Sequence, residues 1–342
     1  MNFFGPSKWL GAFVMVLISP FTSAKVDSEK ILGSGSSFIY PAMTAWTREY
    51  NKNNDVNIEY QLKRSGDGVQ DMLSNDVHFA ASGFAMPRKE ARKIDGGVVT
   101  LPVAASKVVL SYNLDNIDDL RLSRDVYVDI FLGNITRWND ERIAEDNPKV
   151  MLPDLGITVI TRSDSSGTTY AFSNHLSQIS AQWKEIVGKG DLIDWPDSKQ
   201  FVSTVRNDGV AVSILQTPGA IGYLESGYAH ITSQKTALLE NKQGKFVYAN
   251  KESGEAALKD IHLSDNLVTF IPDPSGDNAY PITTFSWVIL YKNNRGTHTS
   301  DVIKGFAKYI ITDGQDASEN MGYIRLPNHL QSQLLDAINT IN

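Results

Sequence analysis

The feature that most constrains this chain is a repeated order of strand, short polar loop and helix. In the clearest case the apolar run at residues 157–160 predicts a buried strand, and apolar residues at helical spacing from Tyr170 onward predict a helix. Residues 162–168, with the sequence RSDSSGT, join the two. The first N–H groups of a helix have no internal partner and carry partial positive charge, so this loop suits an anion.

Two further segments have the same order. The strand pattern at residues 30–32 leads through GSGSSF into a helical pattern, and the alternating run at residues 56–62 leads through KRSGDG into a short helix. Taken singly, each segment predicts only a capped helix. In an open α/β sheet, however, such loops meet at the carboxyl ends of the strands, where ligands bind. The three loops together therefore predict a site for a small anion.

Two β-rich runs interrupt the alternation. Residues 98–105 and 108–112 read as two successive buried strands, and residues 280–291 form a long third run. A chain of 342 residues is long enough for two domains at about 150 residues each. We interpret the β-rich runs as the places where the chain crosses between the two domains.

The first residues predict a secretory signal peptide at residues 1–24. Lys8 precedes a short apolar run, and small residues follow at 22–24. The run is shorter than the roughly 20 apolar residues of a spanning helix. The sequence contains no cysteine, so we expect neither disulfides nor lipid attachment. These features predict a soluble periplasmic protein.

Charge and motifs narrow the function classes. The formal net charge of −7 argues against nucleic acid and anionic membranes as partners, but not against a small anion held by local N–H groups. A G-x-S-x-G elbow, an H-E-x-x-H metal motif and a P-loop ending are all missing from the sequence. We therefore predict no enzyme activity, no cofactor and no metal site.

Five segments in this order resemble the PstS family, the periplasmic phosphate-binding proteins of phosphate ABC transporters. They are residues 33–38, 65–69, 131–138, 162–168 and 218–223. The resemblance covers nearly the whole mature chain. It implies the type II periplasmic-binding-protein fold: two α/β lobes, each a mainly parallel sheet flanked by helices, with a double-crossing hinge and the ligand in the cleft. Lobe 1 would comprise residues 25–104 and 286–342, and lobe 2 residues 105–285.

The resemblance also implies a function and a set of ligand residues. The function is high-affinity binding of inorganic phosphate by a monomer that delivers it to a membrane permease. Asp164 would brace the guanidinium of Arg162. The phosphate ligands carried over by position are Ser36, Ser37, Phe38, Ser65, Arg162, Ser166, Gly167 and Thr168.

One position departs from the family pattern. Where the family usually has an aspartate that accepts the proton of HPO₄²⁻ and so excludes sulfate, this sequence has Gly83. Either Asp67 takes the role of proton acceptor, or selectivity for phosphate is weaker. Three alternatives to a phosphate receptor stay open: a receptor for another tetrahedral oxyanion such as sulfate, an exported phosphatase or esterase with Ser166 as nucleophile, and an exported adhesive or scaffolding protein on this fold.

Overall fold

The computed structural model describes Met1, residues 30–293 and residues 296–342. The predicted signal peptide lies outside the described residues, apart from Met1. Within the described ranges, no helix combines the length and apolar character that crossing a membrane requires.

Strands and helices alternate along the described chain. The strands are β1 (Lys30–Ser36), β2 (Asn57–Lys63), β3 (Phe79–Ser82), β4 (Val98–Tyr112), β5 (Arg121–Leu122), β6 (Thr158–Arg162), β7 (Phe201–Thr204), β8 (Ala220–Glu225), β9 (Lys235–Thr236), β10 (Leu238–Glu240), β11 (Phe246–Val247) and β12 (Thr283–Tyr291).

The helices complete the predicted alternation, and the α/β class is confirmed. A short 3₁₀ turn at Ser37–Ile39 precedes the first of them. The α-helices are α1 (Tyr40–Asn54), α2 (Ser65–Ser74), α3 (Arg88–Ala91), α4 (Arg124–Leu132), α5 (Glu141–Asp146), α6 (Gly167–Ile179), α7 (Ala181–Ile186), α8 (Arg206–Gln216), α9 (Ser226–Ile231), α10 (Lys251–Leu258), α11 (Thr297–Ile311), α12 (Gly314–Glu319) and α13 (Asn328–Ile338).

One sheet runs through the molecule in the order β2-β1-β3-β12-β4-β8-β6-β7, with β9 beside β4. At one end β1 is parallel to β2 and β3, and at the other β6 is parallel to β7 and β8. The central strands β12 and β4 are antiparallel to each other and to their outer neighbours. Parallel strands bring the loops after their carboxyl ends to a common edge, so the loops after β1, β2 and β3 meet, as do those after β6 and β7.

Strand β4 is continuous, where the sequence pattern predicts two strands. Residues 98–107 pair with β12 and residues 108–112 pair with β8. The polar pair Ser106 and Lys107 suggested a break, but both residues are buried within the strand. Their polar atoms are satisfied there, since the hydroxyl of Ser106 donates to Glu225 and Nζ of Lys107 donates to the Gly322 carbonyl at 3.1 Å.

Two large hydrophobic cores lie at the two ends of strand β4. The first contains Trp46 and Trp287, and the second contains Phe172 and Tyr223. We call the part of the molecule with strands β1, β2, β3 and β12 the first half, and the part with strands β6, β7 and β8 the second half. Leu258 and Ile271 pack with the first core, although the predicted limits place residues 105–285 in lobe 2. The exact lobe limits remain a prediction.

Candidate functional site

The loop between β6 and α6 has the predicted strand–loop–helix form. Arg162 is the last residue of β6, and Ser166 caps α6 through its Oγ, which accepts from the N–H of Thr169 at 3.1 Å. This bond satisfies one of the N–H groups left open at the helix start. The loop therefore presents the amino end of a 13-residue helix next to an arginine.

Arg162 and Asp164 form a buried ion pair. Nε and Nη2 of Arg162 donate to the two carboxylate oxygens of Asp164 at 2.5 and 2.6 Å, and the side chains are 2% and 1% exposed. The third guanidinium nitrogen, Nη1, is buried without a hydrogen-bond partner among the described residues. A buried charged donor left unpaired is costly. The arrangement therefore calls for an acceptor at Nη1, and an anion would provide it.

The first loop of the first half contributes Ser36, Ser37 and Phe38. The Oγ of Ser36 accepts from the N–H of Phe38 at 3.1 Å, which makes Ser36 the cap of the turn. The Oγ of Ser37 accepts from the backbone N–H and the side-chain Nδ2 of Asn207, at 3.3 and 3.2 Å. Since Asn207 lies in the second half, the hydroxyl of Ser37 links the two halves.

Ser65, the first residue of α2, makes a second link. Its Oγ accepts from the N–H of Gly83 at 3.2 Å and from the N–H of Gly167 at 3.3 Å. These groups belong to three separate loops, two in the first half and one at the start of α6. A hydroxyl that accepts twice still has its own hydrogen to donate, so Ser65 remains able to donate to a ligand.

The two halves approach each other closely at two glycines, Gly83 and Gly167. A Cβ added to Gly167 would lie 2.1 Å from the Cα of Gly83, and a Cβ added to Gly83 would lie 2.7 Å from the Cα of Gly167. Only backbones without side chains pack this closely. Gly83, which occupies the position of the family's aspartate, is therefore a contact between the halves.

In the structure, the carboxylate of Asp67 pairs with a neighbouring arginine. Its carboxylate accepts from Nε and Nη2 of Arg64 at 2.6 and 2.7 Å, and the pair lines a surface pocket together with Arg206. Burial tends to raise the pKa of Asp67, but the hydrogen bonds and charge of Arg64 lower it below its ordinary value. A carboxylate with a lowered pKa is a poorer acceptor for a ligand's proton.

The structure also adds residues that sequence reasoning missed. Asn207 contacts Ser37 and also accepts from the hydroxyl of Thr168 at 3.2 Å. Tyr228 donates from its hydroxyl to the carbonyl of Ser37 at 2.8 Å. In the sequence, Asn207 is followed by Asp-Gly and predicts only a turn at a helix start. Its partners are 170 and 39 positions away, so local pattern carries no signal for these contacts.

Glu225 carries a buried carboxyl group, and its backbone is hydrogen-bonded to Asn207. The N–H of Glu225 donates to Oδ1 of Asn207 at 3.1 Å. Burial raises the pKa of the Glu225 carboxyl to about 7, against the hydrogen bonds from Ser106 and from the N–H of Gly227. Within the described residues, its Oε2 has no hydrogen-bond partner. The proton is therefore bound more tightly in the folded state than in the unfolded chain.

Glu225→Gln is expected to remove a pH-dependent loss of stability. The raised pKa stabilises the folded wild type below pH 4.5, and this contribution disappears as the pH rises to about 7. The loss is on the order of 3 kcal/mol for a shift of this size. Urea unfolding at pH 5 and pH 7 (roughly the two sides of this window) measures the free energy of unfolding of both proteins. Relative to wild type, the variant should be more stable at the higher pH than at the lower one. A difference that does not change with pH would contradict the assignment.

Comparison with known proteins identifies the family. A family model described as a PBP superfamily domain matches residues 22–314. A phosphate-binding protein PstS of Xylella fastidiosa is 36% identical over 322 residues, covering 92% of this chain and 86% of that protein. The PstS of Pasteurella multocida is 32% identical, covering 92% and 91%. The chain belongs to the PstS family.

Solved structures agree with the fold predicted for a PstS protein. A high-affinity periplasmic phosphate-binding protein, PfluDING, bound with phosphate, matches with a TM-score of 0.74 and 17% identity, covering 89% of this chain and 92% of that one. A phosphate-binding protein from Stenotrophomonas maltophilia matches with a TM-score of 0.72 at 17% identity, covering 90% and 93%. The predicted periplasmic-binding-protein fold is confirmed.

Proposed function

We propose that this PstS-family chain is a monomeric periplasmic receptor that binds inorganic phosphate and delivers it to the permease of an ABC importer. The observation that carries the proposal is Nη1 of Arg162, which is buried and unpaired among the described residues. The other two nitrogens of this guanidinium, Nε and Nη2, each donate a hydrogen bond to Asp164. An oxygen of a tetrahedral anion would accept the hydrogen bond that Nη1 of Arg162 otherwise lacks.

The surrounding donors support an oxyanion ligand. Ser37 and Ser65 each accept two hydrogen bonds and keep a hydrogen to donate. Helix α6 adds the positive end of its dipole next to Arg162. Groups of three histidine, cysteine or acidic side chains able to hold a metal are not found among the described residues. The serine hydroxyls, Arg162 and the start of α6 offer fixed donors to a small anion.

The relatives named above are phosphate-binding proteins, and their names support a phosphate receptor over the other hypotheses. Neither a sulfate receptor nor an exported serine phosphatase or esterase finds support among them. The contacts of Ser166 also argue against a nucleophile, because its Oγ caps α6. We infer that the chain binds its ligand without chemical turnover.

Isothermal titration of protein stripped of bound anion tests the proposal. We expect one phosphate per chain, with favourable heat from charge-assisted hydrogen bonds formed in a water-poor site. A chromogenic phosphate ester serves as the control for catalysis and should not be hydrolysed. If phosphate produces no heat and no thermal shift, the chain is not a phosphate receptor.

A further inference from the structure

Asn207 lies in the first turn of α8 and is fully buried. Its side-chain amide contacts three groups. These are the N–H of Glu225 at 3.1 Å, Oγ1 of Thr168 at 3.2 Å and Oγ of Ser37 at 3.2 Å. The amide therefore lies between a hydroxyl of the first half and a hydroxyl of the second half, both predicted to contact the ligand.

The orientation of this amide is determined by backbone groups. A backbone N–H can only donate, so the atom facing the N–H of Glu225 must be Oδ1 of Asn207. Nδ2 then faces Ser37. The backbone N–H of Asn207 also donates to Oγ of Ser37, at 3.3 Å. It is the N–H of Glu225 that removes the usual ambiguity in which way an asparagine amide is turned.

The amide in turn determines what each hydroxyl can offer a ligand. The Oγ of Ser37 accepts twice from Asn207, so its hydrogen is left for another acceptor. The hydroxyl of Thr168 has the opposite arrangement, because its hydrogen is donated to Oδ1 of Asn207. Only lone pairs of Oγ1 then remain available to a ligand.

We propose that Asn207 is a specificity-determining residue, which makes Ser37 a donor and Thr168 the acceptor for the proton of HPO₄²⁻. The inference rests on the proposed function and answers the question raised by Gly83. Asp67, the other candidate acceptor, has its carboxylate engaged by Arg64. Sulfate has no proton to donate, so its oxygen would face the lone pairs of Thr168. An unmatched pair of acceptors in a buried site is unfavourable.

The test measures the dissociation constants of phosphate and sulfate for wild type, Thr168→Val and Thr168→Ser, by titration of stripped protein. Thr168→Val keeps the shape and removes the acceptor. We expect it to weaken phosphate about 10- to 100-fold, with sulfate unchanged or tighter. Thr168→Ser restores a hydroxyl that can donate to Asn207, and should return the phosphate-to-sulfate ratio to the wild-type value.

Thr169→Val is the matched control. Thr169 is the next residue and is equally buried, but its hydroxyl is 2.7 Å from the hydroxyl of Tyr223. The same substitution there should leave the ratio unchanged. Ser37→Ala, which removes a donor, should weaken both anions by a similar factor. Asn207→Asp should also weaken both anions without lowering the ratio, since its second carboxylate oxygen would accept from Ser37 and remove that donor, while Thr168 would still donate to the other oxygen.

Three outcomes would overturn the inference. Equal affinity of the wild type for phosphate and sulfate would do so without any variant, so the test does not depend on a variant folding. Loss of both anions by the same factor in Thr168→Val would assign Thr168 a purely structural role. A lower ratio in Asp67→Asn, with an unchanged ratio in Thr168→Val, would give the role to Asp67. Failure of the wild type to bind phosphate would instead refute the proposed function.

Discussion

Arg162→Met is expected to weaken phosphate binding by about 30-fold to several thousand-fold. Methionine keeps much of the length of the side chain but removes the charge and the unpaired Nη1 donor. Truncating one partner of a buried, hydrogen-bonded charge pair costs about 2–5 kcal/mol, and each 1.4 kcal/mol is tenfold in affinity. Titration calorimetry with phosphate measures the change directly.

The same substitution should also reduce stability, so binding and folding must be separated. Without Arg162 the buried carboxylate of Asp164 retains a backbone N–H of Arg206 at 3.3 Å as a donor, and an uncompensated buried charge costs about 3–5 kcal/mol. The double variant Arg162→Met/Asp164→Leu removes this charge as well. We expect it to recover stability in urea unfolding while still failing to bind phosphate.

Arg142→Met is the matched control for Arg162→Met. Arg142 also forms an ion pair through Nε, with Asp140 at 2.9 Å, but its side chain is 43% exposed. Exposed pairs contribute about 0–1 kcal/mol, so this variant should bind phosphate as the wild type does. Retained phosphate affinity in Arg162→Met would refute the assignment of Arg162 as the charged ligand.

Gly167→Ala is expected to weaken phosphate binding because it keeps the two halves apart. The added Cβ would lie 2.1, 2.4 and 2.6 Å from the Cα, C and O atoms of Gly83. These are backbone atoms, so relief requires the loops to separate. Ser65 then loses its bond to the N–H of Gly167. Loss of ligand contacts from one half should cost about 2–4 kcal/mol, or roughly 30- to 1,000-fold in affinity.

The fold itself should tolerate the alanine. Gly167 is the first residue of α6, where alanine is a good helix former. We therefore expect small-angle X-ray scattering with phosphate to show a more open molecule than wild type, with nearly unchanged urea unfolding. Gly156→Ala is the control, since a Cβ there would meet nothing within 4 Å. Wild-type affinity in Gly167→Ala would show that the glycine contact is not needed for binding.

Much of the site follows from local sequence. Arg162 at the end of an apolar run, with Asp164 two residues later, predicts a paired guanidinium, and the structure contains that pair. Ser166 before a helical pattern predicts a cap, and its Oγ caps α6. These interactions span only two or three residues. The backbone geometry of a strand end or a helix start therefore almost determines them.

The ion pair of Asp67 is a contact that local reasoning did not predict. As an acidic residue one turn into a helix that follows a glycine-rich loop, it had the right chemistry to accept a proton. The structure pairs it with its neighbour Arg64 instead. Which of several nearby groups a carboxylate contacts depends on small differences in side-chain packing, and these leave no periodic pattern in the sequence.

By itself the sequence determined the α/β class, the helix starts and the pairing of Arg162 with Asp164, because each arises from contacts between neighbours in the chain. Only the tertiary structure decided that Gly83 meets Gly167 and that Asn207 joins Ser37 to Thr168. Those contacts form where the loops after β1 and β3 meet the loops after β6 and β7, which are far away in the sequence. These contacts determine which hydroxyls of the site donate and which accept, and the proposed recognition of the ligand's proton depends on this.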